Sequence, residues 1–502
     1  MPNRTERYAR YLKISGLLLM LVAGYGCQSA SSDNPQHCFE QSGQAFSEVL
    51  SCYRKAEATQ PLRYISKGQE QQPGVNIRRF ELTSQSWGQG GQVAPADWIH
   101  GVDLYIPDNV KGTRAVLVAN DGVNNPMPGG SPGAPNNFSQ QTLLNIARQT
   151  GLIVVAVSNV PNQYLTYRDD VDGPRTEDGS VAYSWKLFMQ APEQQPFMSL
   201  HVPMMEALVK AMDLAQKETQ PGQVVSFLAT GASKRGWAVW LSALADSRVD
   251  SIVPFVIDVL NTEKVFEQTF LAYGRNWPLA YIDYYRQGVI AQRETEPFKK
   301  LMQVEDPMTY RNLSGYTDRL KIPKYIVNAS GDDFFIPDAS RQYFPDLPGN
   351  NTLRVIPNSA HDVRAFVEAN LIPYIKRRQT GNTAPRLKAQ EQRLDATSTQ
   401  LHLTLSEIPI RMTRWTAHNP KARDFRYNCG VRYTAAQLPA STDVQSTLRA
   451  PKVGWSAEFF EAEYADGVVE TTMVKVLPDT YPDQPPPADE AFCRTLPATP
   501  GQ

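Results

Sequence analysis

Several features that mark common functional classes are scarce or missing in this 502-residue sequence. The net charge is −1 and no basic block occurs, so nucleic acid is not expected as a partner. There are five cysteines and six histidines, with no Cys-x-x-Cys pair, which gives little support to zinc or dithiol chemistry. Internal repeats and low-complexity tracts are also missing. We therefore predict neither a metal nor another cofactor.

The N-terminus has the pattern of an export signal. Basic residues precede an apolar stretch over residues 14–23, which is too short to span a bilayer comfortably. The sequence GYGC at residues 24–27 then resembles a bacterial lipobox, although Gly24 stands where leucine is usual. Residues 1–27 are therefore predicted to be a signal peptide, with Cys27 lipidated; the alternative is ordinary signal-peptidase cleavage nearby. The predicted location is the periplasm or outer membrane of a Gram-negative bacterium, with the lipid as the membrane contact.

The remaining cysteines fit an exported protein. If Cys27 carries lipid, four cysteines are left, an even number that suits an oxidising compartment. Four cysteines allow three pairings. Closeness in the sequence favours disulfides that join Cys38 to Cys52 and Cys429 to Cys493.

The length is too great for one compact domain. Apolar strand-like runs alternate with helical patterns across residues 99–260, which predicts a mostly parallel, doubly wound α/β sheet. Alternating polarity after residue 400, including residues 426–433, predicts an antiparallel β-sandwich, after a polar linker at residues 378–399. The predicted parts are an N-terminal strap at 28–60, an α/β domain at 61–385, a sandwich at 400–480 and an irregular tail at 481–502.

The strongest local signal is residues 223–245, QVVSFLATGASKRGWAVWLSALA. An apolar, β-branched run predicts a buried strand, and apolar residues at helical spacing follow Gly236. Gly231 and Gly236 flank Ser233 between these elements, which is the context of a nucleophile elbow. Small neighbours let strand and helix approach closely while the serine is held in a strained turn. Arg235 replaces the usual second glycine, and an ordinary strand-to-helix turn is the alternative.

The order of further residues along the chain strengthens this prediction. Asp332 and Asp333 directly follow one predicted strand, and His361 directly follows the next and last. Serine, acid and histidine in that order are typical of α/β-hydrolases, whose strand ends converge on one crevice. We predict Ser233 as nucleophile, His361 as general base and Asp333 as the acid, because an apolar residue and Pro337 follow it. Asp332 is the alternative acid.

Neighbouring residues are candidates for supporting roles. The backbone N–H of Lys234 is expected to face the oxyanion, with a second donor from Gly122 or Val123 after the third strand. Arg235 is predicted either to reinforce that site or clamp a substrate carboxylate, or only to form a salt bridge on its helix. The candidate substrate contacts are Arg235, Trp185 and Asp121.

Several short motifs carry a resemblance to a known family. They are WIH (98–100), NDG (120–122), TGASKRGW (230–237), DP (306–307), GDDFF (331–335), PNSAH (357–361), RDFR (423–426) and GWSA (454–457). With these motifs the sequence resembles the PhoPQ-activated pathogenicity-related proteins. The resemblance implies an α/β-hydrolase fold with a β-rich C-terminal domain in an exported bacterial protein. The family name suggests a link to envelope stress and resistance to cationic antimicrobial peptides, and the elbow is also similar to that of glucuronoyl esterases.

The predicted function is a serine hydrolase of the cell envelope that cleaves an ester or amide in a small-molecule or peptide substrate. The aromatic, helix-rich residues 261–320 occupy the position at which α/β-hydrolases often insert a lid over the pocket. One alternative is a non-catalytic binding protein on the same scaffold, which an intact triad argues against. Another alternative is a prolyl-oligopeptidase-like peptidase. The predicted C-terminal sandwich argues against it, because that class has a propeller instead.

Overall fold

The computed structural model describes residues 34–498, apart from residues 125–126, 128–129, 363 and 489. The predicted signal peptide and the predicted lipidation site at Cys27 lie outside the described residues. None of the helices in the described part has both the length and the apolar character that crossing a membrane requires.

A nine-stranded sheet within the described residues forms the centre of the molecule. Its strands are β1 (Arg63–Gln72), β2 (Val75–Ser86), β3 (Asp97–Pro107), β4 (Arg114–Ala119), β5 (Ile153–Val157), β6 (Ser226–Ala232), β7 (Val249–Phe255), β8 (Lys324–Ala329) and β9 (Asn351–Ile356). Their spatial order is β1-β2-β3-β5-β4-β6-β7-β8-β9. Strands β1 to β3 and the β3–β5 pair are antiparallel, and every pair from β5 to β9 is parallel. This topology is that of an α/β-hydrolase, as predicted.

Helices cover both faces of the sheet. They are α1 (Pro35–Gln41), α2 (Val49–Ala58), α3 (Gln140–Thr150), α4 (Glu177–Gln190), α5 (His201–Glu218), α6 (Lys234–Ala245), α7 (Thr262–Ala272), α8 (Ile282–Arg286), α9 (Glu296–Glu305), α10 (Thr317–Leu320) and α11 (Val367–Gln379). Side chains of a strand alternate between the faces. Val116 and Val118 of β4 therefore pack with α3 and α11, whereas Leu117 packs with α5 and α6.

The N-terminal residues 34–60 form two helices beside the sheet. A disulfide joins Cys38 of α1 to Cys52 of α2, the pairing that sequence closeness favours. Arg54 of α2 forms an ion pair with the buried Glu206 of α5, with Nη1 2.6 Å from Oε1. This salt bridge and the apolar contacts of α2 fix the N-terminal helices against the α/β unit.

Residues after α11 form two antiparallel sheets. One contains β10 (Leu387–Arg393), β11 (Ser398–Leu405) and β14 (Asp443–Arg449), and the other contains β12 (Arg411–Asn419), β13 (Thr434–Leu438), β15 (Trp455–Glu463), β16 (Val469–Thr471) and β17 (Lys475–Leu477). Leu403 and Leu448 of the first sheet join one apolar cluster with Met412 and Phe460 of the second. The second disulfide joins Cys429 to Cys493, the other pairing that the sequence favours.

Some local predictions are wrong. The polar stretch predicted as a linker contains β10, which pairs with β11 through its backbone and leaves most side chains exposed, so it shows no apolar alternation. The strand predicted at residues 426–433 is instead a short helical turn, Tyr427–Cys429, tied down by the disulfide at Cys429. Helix α4 has no visible period in the sequence because its buried side chains lie on nearly all sides.

Candidate active site

Ser233 lies at a sharp turn between β6 and α6. Its backbone has φ 56° and ψ −132°, a conformation that non-glycine residues rarely adopt. The N–H of Ser233 donates a 2.9 Å hydrogen bond to the carbonyl oxygen of Phe255, at the end of the neighbouring strand β7. Such strain persists only where the surrounding structure enforces it, and it concentrates at functional sites.

The two glycines of the turn permit close contact between β6 and α6. A Cβ atom at Gly231 would lie 2.9 Å from the carbonyl oxygen of Arg235. One at Gly236 would lie 2.9 Å from the carbonyl oxygen of Gly231 and 3.1 Å from Cγ2 of Ile257. The positions that exclude a side chain are thus two residues before and three residues after Ser233. Arg235 falls between the crowded positions, so a side chain is accepted there.

A chain of hydrogen bonds joins three strand ends. Nε2 of His361 lies 2.9 Å from Oγ of Ser233, and Nδ1 lies 2.9 Å from each carboxylate oxygen of Asp332. Ser233 follows β6, Asp332 follows β8 and His361 follows β9. Parallel strands bring these ends to one edge of the sheet. The arrangement is a serine, an imidazole and an oriented carboxylate in hydrogen-bond contact.

The carboxylate in contact with the ring belongs to Asp332, the alternative acid, and not to Asp333. Asp332 is 3% exposed, and its Oδ1 also accepts a 2.8 Å hydrogen bond from the N–H of Phe334. Asp333 instead accepts hydrogen bonds of 3.0 and 3.1 Å from Nδ2 of Asn428 in the C-terminal region. The prediction that Asp333 is the acid beside the histidine is therefore wrong, and the alternative, Asp332, holds that position. The turn after β8 directs the two adjacent carboxylates to different partners.

The environment of His361 affects its protonation. Its ring packs against Phe334, with the ring centroids 4.7 Å apart. Burial lowers the pKa of His361, but the Asp332 carboxylate raises it through charge and hydrogen bonding, and the pKa ends above its ordinary value. The imidazolium form is thus favoured by the same carboxylate that orients the ring.

The two basic residues after Ser233 pair with acids on α4. Nζ of Lys234 lies 2.8 Å from Glu177 and 3.0 Å from Asp178, and Nη2 of Arg235 lies 2.5 Å from Glu177. Burial raises the pKa of Glu177, but the two cations outweigh this effect and hold the pKa well below its ordinary value. Arg235 therefore forms the salt bridge that was one of its predicted roles, and the residue also lines the cavity above Ser233.

The candidate oxyanion donors differ in availability. Lys234 is the first residue of α6, and a helix leaves the N–H groups of its first turn without intrahelical acceptors. The N–H of Val123 donates to the carbonyl oxygen of Gly133 at 2.9 Å, so it is already occupied. The N–H of Gly122 has no hydrogen-bond acceptor among the described residues. Of the two alternatives in the loop after β4, Gly122 (φ 114°) is the one left free to donate.

Asp121 and Trp185 each hold a neighbouring part of the site in place, and Trp185 also lines a second, smaller cavity beside Ser233. Oδ1 of Asp121 accepts hydrogen bonds from the N–H groups of Asn136 (2.8 Å) and Asn137 (3.0 Å), which fixes the loop that follows β4. Trp185 is fully buried and packs edge-on against Trp237 of the elbow helix, with centroids 5.5 Å apart. Asp121 positions two asparagines that line the cavity, and Trp185 supports the elbow helix.

An open cavity of about 460 Å³ lies above Ser233 and His361. Its wall includes polar and charged residues that no sequence pattern indicated: Asn136, Asn137, Glu177, Asp178, Asp362 and Arg364. They come from three separate parts of the chain, and none lies within a recognisable motif. Among the described residues, no group of three or more His, Cys, Asp or Glu side chains is arranged to hold a metal ion.

Comparison with known proteins gives a family match. The sequence profile of the PhoPQ-activated pathogenicity-related proteins matches residues 50–426, about three quarters of the chain. Autocrine proliferation repressor protein A of Dictyostelium discoideum is 30% identical over 436 residues, which cover 80% of this chain and 85% of that protein.

Solved esterase structures are similar at low sequence identity. An acetyl xylan esterase from Paenibacillus sp. R4 aligns with TM-score 0.45 and 13% identity over 66% of this chain and 93% of that one. A glucuronoyl esterase from Solibacter usitatus aligns with TM-score 0.36 and 13% identity over 60% of this chain and 82% of that one. The order and the directions of the strands in the nine-stranded sheet define the α/β-hydrolase fold.

Proposed function

The chain belongs to the PhoPQ-activated pathogenicity-related protein family. We propose that this member is a serine hydrolase that cleaves carboxylic esters. One observation carries the proposal: the imidazole of His361 contacts Oγ of Ser233 through Nε2 and Asp332 through Nδ1, each at 2.9 Å. The strained turn at Ser233 is independent support, because it presents the hydroxyl above the end of the sheet.

The proposed mechanism has two halves. His361 Nε2 accepts the proton of Ser233 as Oγ attacks the ester carbonyl, and Asp332 stabilises the imidazolium that forms. The N–H groups of Lys234 and Gly122 are the proposed donors to the oxyanion. His361 then gives the proton to the leaving alcohol. Water attacks the acyl-serine with the same assistance, which releases the carboxylic acid and restores Ser233.

Export of the protein is part of the proposal. Two disulfides in the described residues suit an oxidising compartment, and the N-terminal sequence has the pattern of a signal peptide. A lipid on Cys27 would anchor the enzyme to the periplasmic side of an envelope membrane. The link to envelope stress and antimicrobial peptides stays a prediction from the family resemblance.

Activity is expected to depend on pH through His361. The general base must be neutral, and the Asp332 carboxylate raises its pKa above the ordinary value. We expect kcat/KM to fall as the pH drops through this raised pKa, so the acidic limb lies above about pH 6.5, the ordinary pKa of histidine. A pH profile with a 4-nitrophenyl ester, monitored at the isosbestic wavelength of the product, measures it. A limb near pH 5 would contradict the assignment of His361 as the base.

A fluorophosphonate probe tests the proposed nucleophile directly. Such probes react with an activated serine and leave a stable adduct, so the wild-type protein is expected to be labelled at Ser233 and Ser233→Ala is expected to remain unlabelled. Peptide mass spectrometry locates the adduct. Ser242→Ala is the matched control, because Ser242 is buried on the same helix as the one that follows Ser233 and its hydroxyl donates to the carbonyl oxygen of Val239 at 2.8 Å. Unlabelled wild-type protein, or an adduct elsewhere, overturns the proposal.

A further inference from the structure

Two cavities of very different character meet at Ser233. Besides the open cavity, a much smaller one of about 30 Å³ lies on the other side of the serine, towards α4 and α7; it is named the closed cavity because mostly buried side chains line it. Both are lined by Ser233, Lys234, Asp178 and Phe334. When the carbonyl carbon of an ester lies at Oγ, its acyl group can therefore enter one cavity and its alcohol the other.

The closed cavity admits very little. Its volume of about 30 Å³ is roughly one fifteenth of the 460 Å³ of the open cavity, so it suits the smaller half of an ester. Apart from Asp178, Ser233 and Lys234, its wall is mostly apolar and closely packed, because aromatic rings and branched side chains from separate elements meet there. These residues are Trp185, Trp237, Ile257, Val259, Phe266 and Tyr281. Protein interiors resist expansion, so a longer chain would have to displace packed side chains.

The position of His361 decides which half of the ester enters which cavity. His361 lines the open cavity and is not among the residues that line the closed one. The leaving alcohol must receive its proton from Nε2, so it occupies the open cavity beside the ring. The acyl group then extends into the closed cavity, where it stays until water releases it.

The open cavity favours a polar alcohol. Arg235 and Glu177 line one side, and Asn136, Asn137 and Arg364 line another. Arg235 pairs with Glu177 and Arg364 pairs with Asp362, but each guanidinium has five N–H donors, so donors remain that a hydroxylated alcohol can satisfy and an alkyl chain cannot. The volume of about 460 Å³ has room for such a group.

From this division we propose that the substrates are acetyl esters of hydroxylated alcohols, such as acetylated sugars. The inference rests on the proposed function and names its substrate class. Oγ of Ser233 bonds to the acetyl carbon as the bond from that carbon to the alcohol oxygen breaks, and the serine proton passes through His361 to the alcohol. Water then cleaves the acetyl-serine, and the products are acetate and the free alcohol.

A series of 4-nitrophenyl esters tests the size of the closed cavity. With one leaving group and acyl chains of two, three, four and six carbons, kcat/KM is expected to fall by about 100-fold from acetate to butyrate, since each extra methylene in a filled pocket costs about 10-fold or more. Equal kcat/KM for acetate and butyrate overturns the inference. Loss of all Ser233-dependent hydrolysis and labelling would instead defeat the proposed function itself, so the two failures are distinguishable.

Enlarging the cavity provides a second test. Val259→Ala removes two methyl carbons from the wall. It is expected to raise the ratio of kcat/KM for the butyrate ester to kcat/KM for the acetate ester by about 10-fold. Val265→Ala is the matched control: Val265 is equally buried, lies in the adjoining helix α7 and lines neither cavity. The same shift in both variants, or none in Val259→Ala, counts against a wall at Val259.

The leaving group is tested at constant acyl group. Acetate release from a methyl glucoside that carries a single acetyl group and three free hydroxyls is compared with release from hexyl acetate, using wild-type protein and Ser233→Ala as the blank. We expect kcat/KM for the glucoside to exceed that for hexyl acetate by at least about 10-fold, because only its oxygen atoms match the polar wall. Faster hydrolysis of hexyl acetate overturns the assignment of the open cavity to a polar alcohol.

Discussion

Replacing Ser233 by alanine is expected to lower kcat for ester hydrolysis by about 10⁵-fold. The expected loss is large because Ser233 alone forms the acyl intermediate in the proposed mechanism, and the proposed oxyanion donors would retain only a small residual acceleration. The measurement is the steady-state release of 4-nitrophenol from an acetate ester, with purified variant and wild type at the same pH. A decrease below about tenfold would place the chemistry at another group.

A glycine at the same position separates chemistry from strain. Ser233 has φ 56°, a conformation that strains any residue with a Cβ atom. Alanine at this position keeps the strain, whereas glycine relieves it. Ser233→Gly is therefore expected to be as inactive as Ser233→Ala but more stable to urea by about 1 kcal/mol. Equal stability of the two variants would argue against a strained elbow, while equal inactivity would still identify the hydroxyl as the reacting group.

The elbow could be predicted from the sequence because its determinants are local. A buried strand, two glycines and a helix with apolar residues at helical spacing follow one another within about twenty residues, and each leaves a readable pattern. The spacing of Gly231 and Gly236 departs from the usual motif, and the structure supplies the reason: the close backbone contacts fall at these two positions. His361 was also predictable, because it directly follows the last strand of the sheet.

The charged wall of the site could not be predicted, because it is assembled by tertiary contacts. Glu177 and Asp178 begin α4, a helix without a visible period, and they reach Lys234 and Arg235 more than fifty residues away. The antiparallel strand β1 at the edge of the sheet was not predicted either, since it has mostly exposed, polar side chains. Backbone pairing alone defines such a strand.

The choice between adjacent aspartates depends on a contact that the sequence does not reveal. The turn after β8 is held by the C-terminal region: the N–H of Tyr427 donates to the carbonyl oxygen of Gly331 at 2.9 Å, and Asn428 binds Asp333. Cys429, the next residue, is fixed by its disulfide to Cys493. One carboxylate is thereby drawn towards the C-terminal sheets, which leaves Asp332 for the imidazole.

Replacing Asp332 by asparagine is accordingly expected to lower kcat/KM by about 10⁴-fold, whereas Asp333→Asn is expected to cost less than about tenfold. Asparagine at 332 can neither stabilise the imidazolium nor hold Nδ1 protonated as a carboxylate does. At position 333 the amide can still accept a hydrogen bond from Asn428. The two substitutions are matched in chemistry and differ by one position, so initial rates with one ester compare them directly.

The pH profile gives a second readout of the same pair. Asp332 raises the pKa of His361, so Asp332→Asn is expected to move the acidic limb of the residual activity to lower pH, while Asp333→Asn leaves it within a few tenths of a unit. A merely structural loss would reduce activity without moving the limb. The assignment of Asp332 fails if Asp333→Asn lowers kcat/KM as much as Asp332→Asn does and shifts the acidic limb equally. In that case both aspartates would act on the imidazole.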